Sequence, residues 1–289
     1  MMTFSALGAE ALASTLRADI ERAFGSPYGP LGERVASAAR LALLCIANSD
    51  ALYHDAEHTM QVTLAMRAIL FGRCLLVETS AEDCAHMLVA SLMHDIGYVR
   101  GILPGDDDSG LVVDDTGRRI CLPRGSSDAA LQSHHVERSK LFVLDRIGAS
   151  KFLDAPRIAR AIAATQFPPC DLPENEVLDE EASLLRAADL IGQLGDPHYL
   201  QKVKALYHEF QEAGTNETFG YTSPADLIDL YPRFYWNVVS PRIQTAIRYL
   251  NVTAEGRQWL ANLYSNVFRA ERNVSLDGLP RLPRAVARS

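Results

Sequence analysis

His94 and Asp95 place two different metal-ligating side chains next to each other at the end of an apolar run. The run has helical spacing, and Gly97 lets the chain leave the helix without steric cost, so the pair is predicted near a helix C-terminus. Consecutive helix positions diverge by about 100°. The two side chains can therefore hold one ion from two sides, or the carboxylate can bridge a second ion. The alternative is a buried histidine capped by the neighbouring aspartate, without a metal.

His54 and His58 form a second candidate group, because residues four apart lie on one face of a helix. Both imidazoles could bind one metal, or one could bind the metal while the other transfers protons. The alternative is a solvent-exposed pair on a charged helical face that also carries Asp55 and Glu57.

Asp189 lies in an apolar stretch that is predicted to be a helix over residues 182–194. A buried carboxylate without a partner costs several kcal/mol, so either a metal or Arg186 must compensate its charge. His134 and His135 are adjacent on another predicted helix, which begins near residue 126. Adjacent helical residues cannot both face the core, so at least one of the two is a candidate for the pocket, while the other can lie at the surface.

Taken together, His58, His94, Asp95 and Asp189 are two imidazoles and two carboxylates on three predicted helices. This mixture of nitrogen and oxygen ligands suits a divalent ion such as Mn, Fe, Zn, Co or Mg, with coordination positions left for water.

The elements that must position these residues are almost all helical. Hydrophobic periodicity, caps and breakers predict an all-α fold with one short β-hairpin insertion near residues 110–122. The insertion follows the His-Asp pair directly and is expected to rim the site, while the acidic triplet at 106–108 is expected to be a solvated loop. A single domain is predicted over residues 1–273, with its core at about 50–250 and a flexible tail at 274–289. Helices are predicted at about 4–24, 33–47, 53–71, 80–94, 126–147, 154–165, 182–194, 198–212, 224–249 with breaks at Pro232 and Pro241, and 253–272.

Composition places the chain among ordinary globular proteins. Its 289 residues are 48% hydrophobic and 22% charged, and 28 basic against 36 acidic residues give a net charge of −8. Because no stretch is rich in Lys or Arg, binding to a long nucleic acid is not expected, although a small anionic ligand is possible. Five scattered cysteines without a CxxC spacing favour reduced thiols. No apolar run approaches the roughly 20 residues of a membrane span, and no signal peptide is recognisable, so a cytoplasmic protein without membrane contact is expected.

The candidate residues occur in motifs that resemble those of the HD-domain metal-dependent phosphohydrolases. Within that family the pattern is most similar to the catalytic fold of the cyclic-nucleotide phosphodiesterases, and the matches run in the same order over about residues 50–250. The matching segments are Tyr53-His54-x3-His58-x3-Val62, Leu92 to Gly97, Asp128 through His134-His135, Ala188-Asp189-Leu190, Glu209 to Gly214, Pro224, and Phe234 with Val238 to Pro241.

The resemblance implies an HD-domain helical bundle that binds two divalent metal ions. It implies that Asp95 bridges the ions and acts in catalysis, and that one metal site is completed by His58, His94 and Asp189. His134 or His135 would hold the second ion or its water.

The same resemblance implies the hydrolysis of a small, nucleotide-like phosphate ester by metal-activated water. His54 would protonate the leaving oxygen as the catalytic acid, with Glu57 or Asp189 as its orienting carboxylate. The substrate would contact Tyr53, Tyr231 and Phe234.

The sequence departs from the family at two points. Tyr231 stands where the cyclic-nucleotide enzymes have a base-binding glutamine, so Tyr231 and Phe234 either sandwich a ring of the substrate or belong to the core. The hairpin insertion is foreign to those enzymes, which favours a smaller or differently shaped substrate.

Two other functions remain open at this point. HD-fold proteins that hold two irons and perform oxygen-dependent cleavage need extra histidine ligands, and His134 and His135 could supply them. A non-catalytic module that binds a nucleotide and signals to a partner is the other alternative. In each case the amphipathic N-terminal helix could support a homodimer.

Overall fold

The computed structural model of the protein describes residues 3–167 and 179–277, which form a mostly helical fold. The predicted loop through Glu176 and most of the predicted tail lie outside the described residues. The helices, in chain order, are α1 (Phe4–Phe24), α2 (Gly29–Ile46), α3 (Ala56–Leu76), α4 (Ala81–Met93), α5 (His135–Ile147), α6 (Ala155–Ala163), α7 (Glu180–Leu194), α8 (Tyr199–Glu212), α9 (Thr215–Phe219), α10 (Pro224–Phe234), α11 (Ser240–Arg242), α12 (Gln244–Leu250) and α13 (Ala254–Asp277).

The described sheet is a two-stranded antiparallel hairpin inside the predicted insertion. Strand β1 (Leu111–Val112) pairs with β2 (Arg119–Ile120), and Leu111 lies opposite Ile120. The prediction of an all-α fold with a short hairpin is therefore confirmed.

Two side-chain caps start the helices that carry the candidate residues. The Asp55 carboxylate accepts a hydrogen bond from the backbone N–H of His58 at 2.9 Å and begins α3. Ser80 and Asp83 form the predicted capping box at the start of α4. Helix α4 then ends at Met93, so His94 and Asp95 lie at its C-terminus, as the sequence predicts.

Helix α3 is a central packing element, and it packs against α4 and α7. A Cβ at Gly192 would lie 2.6 Å from the Cα of Val62, so only glycine allows this approach of α7 to α3. By length and composition alone α3 could also cross a membrane, which the sequence analysis did not predict. Half of its apolar window is buried inside the protein, as in the core helix of a globular fold.

Gly97 is required for a different reason from the predicted one. Its φ is not positive, but a Cβ there would lie 2.0 Å from the carbonyl oxygen of His135. Its backbone N–H also donates to the hydroxyl of Ser139 at 2.9 Å. The residue therefore allows α5 to pack directly on the turn that follows the His-Asp pair.

Arg138 of α5 attaches the hairpin insertion to this turn. Its fully buried guanidinium donates to the carbonyl oxygens of Gly97 at 2.7 Å and Val99 at 2.9 Å, and it pairs with Asp106 at 2.9 Å. The Asp106 side chain is completely buried, so the prediction that residues 106–108 form a solvated loop is wrong for Asp106. The sequence could not identify the arginine 32 residues away that compensates this charge.

The long predicted helix at 224–249 is interrupted after Pro232. Helix α10 ends at Phe234, a π-helical segment follows at Tyr235–Val239, and α11 and α12 continue the chain. Pro232 is accommodated inside α10, whereas Pro241 follows the π-helical segment. Because proline has no N–H to donate and its ring displaces the preceding turn, Pro241 explains the irregular segment. Helix α13 reaches Asp277, four residues into the predicted tail.

Candidate metal centre

Four side chains from three segments converge on one buried point. His58 Nε2 lies 3.3 Å from Asp95 Oδ2 and 3.5 Å from Asp189 Oδ1. His94 Nε2 lies 3.1 Å from Asp95 Oδ2 and 3.6 Å from Asp189 Oδ1. His58 Nε2, His94 Nε2 and Asp95 Oδ2 are buried and form no hydrogen bond with any described residue. The geometry therefore unites the four residues that the sequence groups as metal ligands.

Local hydrogen bonds orient the ligands toward this point. The Nδ1–H of His94 donates to the carbonyl oxygen of Ser91 at 2.9 Å, which leaves Nε2 facing the carboxylates. Such outer contacts are typical of histidines that bind metals, because they select the tautomer and the ring orientation.

The electrostatic field at the convergence point favours positive charge. Burial lowers the pKa of His58, but its interactions with Asp189 and Asp95 outweigh burial and raise the pKa to about 9. The same two carboxylates hold the pKa of His94 well above its usual range. Burial raises the pKa of Asp189, but the neighbouring imidazoles of His58 and His94 lower it to about 2. A site that stabilises two protonated imidazoles in this way can also stabilise a divalent cation.

Asp95 also faces a second group of nitrogen ligands. Its Oδ1 lies 3.5 Å from His135 Nε2, while His135 Nδ1–H donates to the Gln132 carbonyl oxygen at 2.6 Å. Burial lowers the pKa of His135, which favours the neutral imidazole that metals require. His54, His58 and Asp95 form another group whose ligand atoms lie within 4.8 Å of one another. The two oxygens of Asp95 therefore face different sides of the cluster.

His54 is held by a carboxylate that the sequence analysis did not assign to it. Its Nδ1–H donates to Glu209 Oε2 at 2.5 Å, and Glu209 Oε1 accepts the backbone N–H groups of Tyr53 at 2.6 Å and His54 at 3.2 Å. Burial lowers the pKa of His54, but the charge of Glu209 outweighs this effect and raises it. Glu57, one of the two predicted orienting residues, instead pairs with Lys202 at 2.8 Å.

Tyr98 fixes the position of two of the imidazoles. Its ring stacks on His54 with centroids 4.8 Å apart and on His135 with centroids 4.4 Å apart. The sequence places Tyr98 beside the His-Asp pair, but only the tertiary structure shows that it separates these two histidines.

A cavity opens onto the cluster and has a largely aromatic wall. His54, Asp95, His135 and Asp189 are among its lining residues. Phe167 and Phe210 stack in the wall with nearly parallel rings and centroids 5.8 Å apart. Further wall residues are Leu227, Leu230, Tyr231 and Phe234, and polar groups come from Gln132, Thr165, Gln166, Arg186 and Gln193.

Two of the three predicted substrate-binding residues, Tyr231 and Phe234, line the cavity. Tyr53 does not line it and instead packs against the rings of His54 and His58. His134 does not line the cavity, and it precedes α5 as a half-buried residue near Arg118.

The insertion, residues 101–122, contributes no residue to the cavity wall, so the expectation that it rims the site is wrong. The hairpin is anchored instead to buried Arg138, whose guanidinium contacts the carbonyl oxygen of Val112 and the carboxylate of Asp106.

Comparison with known proteins identifies a family over nearly the whole described chain. Residues 3–273 match the family model described as Npun_R2479-like. No curated protein matches the sequence.

Proposed function

We propose that this chain, which belongs to the Npun_R2479-like family, is a metal-dependent phosphohydrolase of the HD-domain type. Its substrate would be a small, nucleotide-like phosphate ester. The observation that carries the proposal is the convergence of His58, His94, Asp95 and Asp189 beside a cavity that Asp95, Asp189 and several aromatic residues line.

The spacing of the ligand atoms fits a bound ion. Ligand atoms at 2.0–2.2 Å from a tetrahedral ion lie about 3.4 Å from one another, and the four imidazole-to-carboxylate separations in the cluster are 3.1, 3.3, 3.5 and 3.6 Å. The three buried atoms without hydrogen bonds also support a ligand at this point, because an unsatisfied buried polar atom costs about 1–3 kcal/mol. The nitrogen and oxygen donors suit Mn, Fe, Zn, Co or Mg.

Two ions are the preferred stoichiometry because Asp95 presents one oxygen to each side. Oδ2 faces His58 and His94, and Oδ1 faces His135. A divalent ion bound there would lower the pKa of water and offset negative charge on the phosphoryl oxygens.

The protein supplies the proton for the leaving group. Because Glu209 binds Nδ1 of His54, Nε2 is the ring nitrogen that remains for proton transfer. The raised pKa keeps His54 protonated over a wider pH range, as a general acid requires. Phe167, Phe210 and Phe234 would hold the organic part of the substrate and limit the access of water.

The proposal is tested by measuring metal content and ester hydrolysis in the same preparations. Purified protein is analysed for metals and assayed on bis-p-nitrophenyl phosphate and on a panel of cyclic mononucleotides. We expect Asp95→Ala to lose both metal and turnover, and His54→Ala to keep metal but lose most turnover. His208→Ala removes an exposed histidine outside the cavity and serves as the matched control.

The outcomes separate the alternatives. Equal metal loss in the His54 and Asp95 variants would contradict the assigned roles. Bound iron with oxygen consumption and no ester cleavage would indicate a di-iron oxygenase. Nucleotide binding without metal would indicate a non-catalytic signalling module.

A further inference from the structure

Arg186 is a cation of the cavity wall without an anionic partner among residues 3–167 and 179–277. It lies on α7 and lines the same cavity as the metal cluster. Its Nε is buried and forms no hydrogen bond with any described residue. Burial lowers the pKa of Arg186, and the nearby positive charge of Arg242 lowers it further. Arg242 donates to the carbonyl oxygen of Val238 at 2.9 Å and has no carboxylate partner within the described ranges.

This arrangement differs from that of three other arginines that are buried or partly buried. Arg67 pairs with Asp19 and Glu255, Arg157 pairs with Asp83 and Glu181, and Arg138 pairs with Asp106. With a net charge of −8, acidic residues outnumber basic ones. Arg186 and Arg242 are thus two neighbouring guanidinium groups whose charge no carboxylate of the described residues compensates, and a bound anion would supply the missing charge.

Arg186 does not compensate Asp189, although the sequence offered it for that purpose. The two residues are three apart on α7, a spacing that permits an ion pair, but the pairs of Asp189 are with His58 and His94. Helical side chains lean toward the helix N-terminus. Arg186 also precedes Asp189 by about 4.5 Å along the helix axis, and burial and Arg242, not Asp189, are what shift its pKa. Its guanidinium is therefore a point of positive charge separate from the ion pairs of the cluster.

We propose that Arg186 binds a second anionic group of the substrate, distinct from the phosphate ester that is cleaved. This inference rests on the proposed function, because it takes the cleaved ester to lie at the metal cluster. The substrate class is then a phosphate ester whose organic part carries another phosphate or a carboxylate. A guanidinium recognises either group with two parallel hydrogen bonds.

The test compares ligands that differ by one anionic group and cannot be hydrolysed. Methylphosphonate carries one anionic group, methylenebisphosphonate carries a second phosphonate, and phosphonoacetate carries a carboxylate in its place. Affinities are measured by isothermal titration calorimetry at one fixed Mn²⁺ concentration. Wild-type protein, Arg186→Gln and Arg186→Lys are compared with Arg160→Gln, which removes an exposed arginine that does not line the cavity.

We expect wild-type protein to prefer at least one dianionic ligand over methylphosphonate. Arg186→Gln should weaken that ligand about tenfold to 150-fold, the range for a hydrogen bond to a charged group, and leave methylphosphonate unchanged. Arg186→Lys should retain part of the preference, and Arg160→Gln should retain all of it. Whether methylenebisphosphonate or phosphonoacetate is preferred identifies the second group as a phosphate or a carboxylate.

Three results would overturn the inference. The first is that wild-type protein shows no preference for a second anion, and the second is that Arg186→Gln binds all ligands as wild type does. The third is that Arg186→Gln binds all three ligands more weakly by the same factor. The last result would place Arg186 on the cleaved phosphate itself. Failure of the proposed function is seen separately, as the absence of metal-dependent ester cleavage in protein that keeps its Arg186-dependent preference. Melting temperatures establish that each variant folds. If Arg186→Gln does not fold, the comparison of Arg186→Lys with wild type provides the test.

Discussion

Glu209→Gln is the sharpest test of the proton-transfer site, because the amide has the same shape as the carboxylate but no charge. Glu209 is 2% exposed, and its Oε1 accepts the backbone N–H groups of Tyr53 and His54. An amide oxygen can keep both of these bonds. The substitution therefore removes mainly the charged hydrogen bond from His54 Nδ1 to Oε2, which measures 2.5 Å.

The expected loss follows from that one bond. A hydrogen bond to a charged group contributes about 1.5–3 kcal/mol, so kcat for ester cleavage should fall roughly tenfold to 150-fold. Metal content should not change, because Glu209 belongs to neither candidate metal group.

The pH profile should change in a defined direction. Glu209 raises the pKa of His54, so the variant should have a lower His54 pKa than wild type. A general acid acts only while protonated, and the alkaline fall of kcat should therefore occur at lower pH in the variant.

The control and the refuting result come from the same assay. Glu57→Gln removes an exposed carboxylate that pairs with Lys202, and it should alter neither kcat nor the alkaline limb. A His54→Ala, Glu209→Gln double variant should be no slower than His54→Ala alone, because both changes affect one proton transfer. A further tenfold loss in the double variant would refute the action of Glu209 through His54.

Three further predictions concern the cluster, its packing and a thiol. In chelator-treated protein, the raised pKa of His58 stabilises the fold fully below the pKa of His58 in the unfolded chain, about 6.5, and this stabilisation is lost as pH rises through about 9. The melting temperature should therefore fall between pH 7 and 10, and saturating Mn²⁺ should reduce the fall. A melting temperature that does not change with pH would contradict the raised pKa of His58. Gly192→Ala should lower the free energy of unfolding, measured in urea, by about 1–3 kcal/mol, because the added Cβ would displace α3 from α7. The same displacement should weaken metal binding. Gly29→Ala is the control and should not destabilise the protein, because its Cβ would have no contact under 3.4 Å. Hydrogen bonding by the Cys84 thiol lowers the pKa of Cys74 to about 7. Iodoacetamide should therefore label Cys74 faster at pH 8 than at pH 6 and leave buried Cys84 unmodified. Peptide mass spectrometry measures the labelling of each cysteine.

Much of the fold could be predicted because its signals are local. Helical periodicity, the Ser80 capping box and the glycine-containing turn of the hairpin each depend on a few neighbouring residues. The metal ligands could also be proposed, because His94 and Asp95 are adjacent and Asp189 is a carboxylate in an apolar helix that needs a compensating cation.

The functional pairings were decided only by the tertiary structure. Glu209 reaches His54 across 155 residues. The family motif includes Glu209, but no local pattern links it to His54. The choice of His135 over His134 depends on how α5 packs against Gly97, and thus on a backbone contact between separate elements. Sequence by itself determined which side chains could bind a metal, since ligand chemistry belongs to residue types. The tertiary structure determined which carboxylate orients His54 and that Arg186 lines the cavity. The physical reason is that packing and the compensation of buried charge select partners that are distant in sequence.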